Sequence, residues 1–484
     1  MASETAGFWD ATIVDLQRAF REGRLTSREL VLCYLARIAA FDQCEGGLNA
    51  VLELNPDALF IADMLDGERA RGRVRGPLHG IPILLKDTIN TADKMHTSAG
   101  SLALADNLAP YDAHVVTRLR TAGAIILGKA NMTEFANFMG ENMPGGYSAR
   151  GGQVLSPFNR DRNPSGSSTG SAVAVAAGMC AAALGTENFG SIIYPAMING
   201  IVGLKPTMGL VSRYGNVPTT NTFDVIGPMT RSVADAALVL AAIAGRDDHD
   251  PATWTLGEGK TPDYACALHD HGVSGARIGI HRPAWEALPD ELAPAFGALR
   301  AALEGAGASI VAVGDVGALL AESDVDPVFF CECKACLNAY LATLRPDLTC
   351  TTLQQVIDYN ARHADRALRY GQAILLEVQS EAWGTLTAPA YLAALEKRER
   401  AIVALDALFD AHGVDVLLCT QPEFIAPSTG FPSLTLPIGV RADRIPFGAH
   451  WIARRYDEAT LLRIAHAAER LLNVRCVPDM IAVG

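Results

Sequence analysis

The sequence predicts an α/β fold in one large domain, on three observations. Strand-like apolar runs alternate with helical segments along the whole chain of 484 residues, the pattern of an α/β layer architecture. Hydrophobic residues make up 49% and charged residues 19%, which supports a large core and excludes a disordered chain. No internal repeat or low-complexity linker interrupts the sequence. One domain over 1–484 is therefore favoured over the about two to four that length alone would allow.

The elements follow in order. Residues 9–40 read as two helices, and Thr26-Ser27-Arg28-Glu29 has the spacing of a capping box before the second. Residues 76–87, GPLHGIPILLKD, are a Gly/Pro turn feeding a buried strand over 81–85. Residues 113–128 predict a helix and then a strand, and 140–171, rich in Gly, Ser, Asn and Pro, predict a long functional loop. An alanine-rich helix over 169–180, an extended return over 181–187 and a turn come next, followed by GIVGLKPTMGLVS at 200–212. Residues 285–410 read as mostly helical. A strand over 414–418, a β-rich stretch over 433–455 and a helix over 458–472 complete the chain.

Composition excludes several functions. Forty Lys and Arg against 53 Asp and Glu give a net charge of −13 with no basic cluster, so no nucleic-acid partner is expected. No apolar run approaches the about 20 residues that span a bilayer, so no membrane partner is expected either. The first residues, MASETAGFWDAT, lack the basic start and apolar stretch of an export signal; a cytoplasmic location with reduced thiols is the expectation. Cys331, Cys333 and Cys336 form the one metal-like spacing among ten cysteines, but no second ligand pair follows. They are read as residues of one helix. The chain has no H-E-x-x-H and no phosphate-binding GK[ST] loop.

Two glycine-flanked serine segments remain, GSSTGS at 166–171 and FGS at 189–191. A helix between them advances about 18 Å, and an extended return covers about 20 Å. The two lengths nearly cancel, so Ser191 can come back beside Ser167. The Asn188-Phe189-Gly190-Ser191 turn could offer N–H groups to an oxygen that becomes negative. Taken singly, each serine reads as a turn residue and Lys86 as a strand-end lysine. GSSTG also fits the nucleophile elbow G-x-S-x-G with Ser168 as nucleophile, but SPFNRDRNP before it cannot be the buried strand that motif needs.

GPLHGIPILLKDT, GKANMTEFAN, SARGGQ, NPSGSSTGSAVAVAAG and GTENFGSIIYPAMINGIVGLKPTMGLVSR, in that order and spacing, resemble the amidase signature family. GPMTRSVADAA, FPSLTLPIG and the last helix extend the resemblance over nearly the whole chain. Its core motifs lie at 76–237 and 431–470, and the helical region over about 240–410 is the least distinctive. SARGGQ and GTE are most similar to the peptide amidase-like and urethanase-like branch. The resemblance implies a central mixed, twisted β-sheet with helices on both faces, and C–N hydrolysis without metal or organic cofactor. It implies a Ser–cis-Ser–Lys triad: Ser191 as nucleophile, Ser167 as the bridging serine after a cis peptide bond, and Lys86 as base. The backbone N–H groups of Asn188, Phe189, Gly190 and Ser191 would form the oxyanion hole.

The chain departs from the family at Asn188 and Phe189, where threonine and glycine are common, and at Ile193, where many relatives carry the arginine that partners Glu187. Phe189 and Phe223, with Phe138, are read either as core packing or as an apolar pocket wall, and the second reading favours small aryl or alkyl amides and carbamates as substrates. The alternatives within the family are a peptide C-terminal amidase and the catalytic subunit of an amidotransferase; the alternative outside it is a non-catalytic binding protein. A monomer or homodimer is expected.

Overall fold

In a computed structural model the protein is described over residues 7–257, 263–268, 272–320, 324–380 and 382–479. Its strands are β1 (Val51–Leu54), β2 (Pro82–Lys86), β3 (Ile125–Ala130), β4 (Tyr147–Ser148), β5 (Gly152–Gln153), β6 (Ala182–Glu187), β7 (Val202–Lys205), β8 (Val225–Thr230), β9 (Arg277–Ile280), β10 (Ser309–Ala312), β11 (Val416–Cys419), β12 (Ser433–Val440) and β13 (Pro446–Ala453). Eleven of them form one mixed sheet in the order β1-β3-β2-β6-β8-β7-β12-β13-β11-β9-β10, and β4 and β5 pair separately. Within that sheet β3, β2 and β6 are mutually parallel, and so are β11, β9 and β10. The strands between β6 and β11 pair antiparallel.

Both faces of the sheet are buried, and alternation along β11 shows it. Successive side chains of a strand point to opposite faces. Val416 and Leu418 join the large core with Leu461 and Leu462 of the helix Glu458–Leu472. Leu417 joins a separate cluster with Leu405 and Phe409 of the helix Pro389–His412.

The capping box forms: Thr26 Oγ1 accepts from the Glu29 amide, and the Glu29 side chain accepts from the Thr26 amide. The alanine-rich helix spans Thr169–Ala176, shorter than its composition predicts. Gly178 stops it with a φ of 65°, and a Cβ there would lie 2.3 Å from the Trp9 ring. The extended return is β6. The described residues over 285–410 are mostly helical as expected, with β10 as a short, half-exposed edge strand whose sequence SIVA carries little signal.

Cys331, Cys333 and Cys336 do lie on one helix, Asp326–Leu341, and all three are buried. No helix of the described residues is long and apolar enough to cross a membrane.

Candidate active site

The site is built where parallel strands end together. Lys86 is the last residue of β2 and Glu187 the last of β6; because these strands are parallel, their C-terminal ends open on the same side of the sheet, where ligands bind in α/β sheets. β3, parallel to β2, supplies the third support: just beyond its end the Thr133 amide donates to the Ser167 carbonyl, 3.0 Å. The Ser168 amide donates to the Ser191 carbonyl, 3.1 Å. The two serine segments, 24 residues apart in sequence, are thus joined directly by backbone.

Lys86 Nζ donates to Ser167 Oγ at 2.7 Å and to the Thr186 carbonyl at 3.2 Å. Burial pushes the Lys86 ammonium down to about 7, against the opposing pull of the Asp224 and Glu187 carboxylates. The Gly166–Ser167 peptide bond is cis. Ser167 is 0% exposed and Ser191 8% exposed, so of the two cavity-lining serines the second is the more accessible to a ligand.

The amides of Asn188, Phe189 and Ser191 have no acceptor among the described residues, which leaves them available to a developing oxyanion. Gly190 turns the chain there with a φ of 90°, and a Cβ on it would stand 2.6 Å from the Tyr194 ring. Glu187, lacking an arginine partner, is served by backbone instead. Its Oε2 accepts from the Ile192 and Ile193 amides at 2.7 and 3.0 Å. Burial pushes the Glu187 carboxyl up, and the Lys205 ammonium and neighbouring amides, including that of Gly190, oppose this.

Ser168 is committed elsewhere. Its Oγ donates to the Thr186 carbonyl at 2.9 Å and accepts from the Thr186 amide at 3.1 Å, and it is fully buried. No strand leads directly into it, so the elbow reading fails on geometry.

Ser167 and Ser191 open onto a cavity of about 730 Å³. Five of the chain's 16 phenylalanines line it: Phe138, Phe189, Phe329, Phe330 and Phe424. Phe189 stacks on Phe424 with ring centroids 4.5 Å apart and meets Phe329 edge-on at 6.1 Å. Phe138 packs on Phe329 at 5.7 Å.

Phe223 is a correction. It is 3% exposed and does not line the cavity; it stands behind Phe329, ring centroids 5.1 Å apart. It belongs to the packing of the wall, not to its surface. Phe329 and Phe330 come from the region the sequence left least distinctive. The one signal that could have found them is their own dipeptide in VFFCECKACL, where apolar aromatic residues sit beside a helix start. The cavity lining holds no Lys, Arg or His among the described residues; its one charged residue is Asp326.

A sequence model of the Amidase family matches residues 29–425. Among solved structures, the native peptide amidase of Stenotrophomonas maltophilia is similar, with 42% identity, a TM-score of 0.91, and coverage of 98% of this chain and 99% of that one. A putative amidase of Schizosaccharomyces pombe is 37% identical over 97% of this chain and 86% of its own length. A glutamyl-tRNA(Gln) amidotransferase chain of Chloroflexus aurantiacus is 35% identical over 95% of this chain and 96% of its own length. The chain belongs to the amidase family. It is a hydrolase of amide C–N bonds.

Proposed function

We propose that the enzyme cleaves small amides bearing an apolar or aryl group, including carbamates, through an acyl-enzyme on Ser191. The observation that carries this reading is the 2.7 Å contact between Lys86 Nζ and Ser167 Oγ at the floor of a phenylalanine-lined cavity. Neutral Lys86 takes the Ser167 proton while Ser167 takes that of Ser191. Ser191 Oγ then attacks the carbonyl carbon, and the oxyanion is held by the amides of Asn188, Phe189 and Ser191, that of Gly190 being turned to Glu187. The C–N bond breaks as the relay returns the proton to the leaving nitrogen. Water then attacks the acyl ester through the same relay and releases the acid.

The cavity composition supports a neutral substrate. Free glutamine carries an α-carboxylate, and burying that charge without a partner is costly; among the described residues the cavity wall has no cation to meet it. This weighs against the amidotransferase reading. A peptide ending in a carboxamide is neutral at that end, and the likeness to the peptide amidase makes this the second reading. A non-catalytic binding protein would have no use for a buried lysine held against a serine. The protein is expected to act in the cytoplasm as a monomer or homodimer.

Hydrolysis of an acetanilide, an aryl carbamate and a peptide amide should be compared side by side. Turnover of the first two at rates matching or exceeding the third is expected; a peptide amide as the sole good substrate would overturn the apolar-wall reading. Labelling by a phenylmethylsulfonyl-type reagent should occur in the wild type and vanish in Ser191→Ala. Equal labelling of both would remove Ser191 from its role.

A further inference from the structure

The loop at 219–224 crosses between the turn at 188–191 and the helix Asp326–Leu341, and two buried carboxylates divide its backbone between them. The amides of Thr219 and Thr220 donate to Asp224, each at 2.9 Å. The next two, of Asn221 and Thr222, donate to Glu332 Oε2, each at 2.9 Å. Four consecutive amides are therefore held by carboxylate oxygens.

Each carboxylate also reaches beyond the loop. Asp224 accepts from the Asn188 side-chain amide, which ties it to the turn beside Ser191. Glu332 Oε1 accepts from the Thr222 hydroxyl at 2.5 Å and from the Tyr391 hydroxyl at 2.9 Å, which ties it to the helix Pro389–His412. Asp224 and Glu332 are each 3% exposed, and neither has an ion-pair partner among the described residues. Their direct contacts are hydrogen bonds, whose geometry depends on the arrangement of the chain around them.

Glu332 stands within a turn of Phe329 and Phe330 on the same helix. Phe223, carried by the loop, packs against Phe329 from behind. The position of the aromatic wall relative to the turn at 188–191 is thus set through Glu332, the loop and Asp224.

We infer that Glu332 is a positioning residue that determines specificity: by fixing the loop at 219–224 to the helix bearing Phe329 and Phe330, it sets the width of the cavity for the aryl or alkyl group of the substrate. Glu332 touches neither substrate nor the reacting atoms. It acts on how tightly a bulky apolar group is held, not on the proton relay. The inference rests on the cavity being the substrate site, as proposed above.

The test uses the full chain and separates binding from chemistry. Binding of acetanilide to Ser191→Ala protein is measured by calorimetry with and without Glu332→Ala. The added change is expected to weaken it about tenfold, the loss of roughly one good apolar contact. In the active enzyme, Glu332→Ala should raise KM for acetanilide by a similar factor and leave kcat for acetamide, which does not reach the wall, within about threefold. Glu332→Gln should restore wild-type KM, because its carbonyl oxygen can accept from both loop amides while its NH2 donates to the two hydroxyls; this variant carries the test if Glu332→Ala fails to fold. An unchanged acetanilide affinity in Glu332→Ala, an equal fall of kcat for both substrates, or an acetanilide KM in Glu332→Gln different from wild type would overturn the inference. Acetanilide that binds Ser191→Ala protein but is not turned over by wild type would instead refute the catalytic reading and leave the binding comparison to decide this one.

Discussion

In the proposed relay, Lys86 sets the pH dependence. The relay needs its neutral form, and burial holds its ammonium down to about 7. Activity should therefore rise through about pH 7 and level off above it; a flat profile from about pH 6 to 9 would remove the lysine as the titrating base. Lys86→Met should lower kcat/KM by about 10²–10⁴-fold with the fold intact.

The same lysine gives a stability signature. Its folded pKa lies below the value of about 10.4 it has in an unfolded chain, so the unfolded state binds more protons between the two. The wild type should gain stability relative to Lys86→Met as pH rises from about 7 toward 10, read from urea midpoints at each pH. Gly190→Ala places a methyl against the Tyr194 ring at a φ of 90°. Distortion of the oxyanion amides should cost about 100-fold or more in kcat, with little change in KM.

At the scale of elements, the alanine-rich helix Thr169–Ala176 works by being thin. Every one of its residues is buried, and Gly170 lets it lie against two other segments. A Cβ at Gly170 would stand 2.3 Å from the Asn131 carbonyl oxygen and 2.4 Å from that of Ala50. Both are backbone atoms that cannot swing aside, so Gly170→Ala should destabilise by about 1–3 kcal/mol or more, measured by the shift of the urea midpoint. The composition made this helix legible, but its end was not: nothing in the alanine run marks a stop until Gly178, which turns left-handed against Trp9. The Thr26–Glu29 capping box was legible to the residue, because its chemistry lies within four positions of sequence.

At the scale of the whole molecule, the chain closes its sheet late. β12 lies between β7 and β13 at the middle of the order, although it is reached only after residue 430. A chain truncated after residue 410 should leave the edge of β7 that pairs with β12 open and the helix Val233–Ile243 without its partner Glu458–Leu472, and should be recovered only in insoluble form. A soluble truncated protein with the wild-type far-ultraviolet spectrum would refute this. The same long-range assembly decides the cavity. Phe138, Phe189, the pair Phe329–Phe330 and Phe424 come from four separate parts of the chain, and no local pattern links the four.

Local sequence made the α/β class and the order of motifs legible, through strand runs, a glycine turn and a capping box. Taken singly, Lys86, Ser167 and Ser191 carried no such signal; only the family resemblance of the motifs around them implied a triad, and the fold gathers the three beside the ends of parallel strands. Only the tertiary structure decided that Phe223 backs the wall instead of lining it, that Phe329, Phe330 and Phe424 complete it, and that Glu332 holds the loop behind it. The reason is physical. Which face of an aromatic ring meets a cavity depends on packing between elements more than a hundred residues apart, and the strength of a buried carboxylate's hydrogen bonds depends on amides that only the folded chain brings within reach.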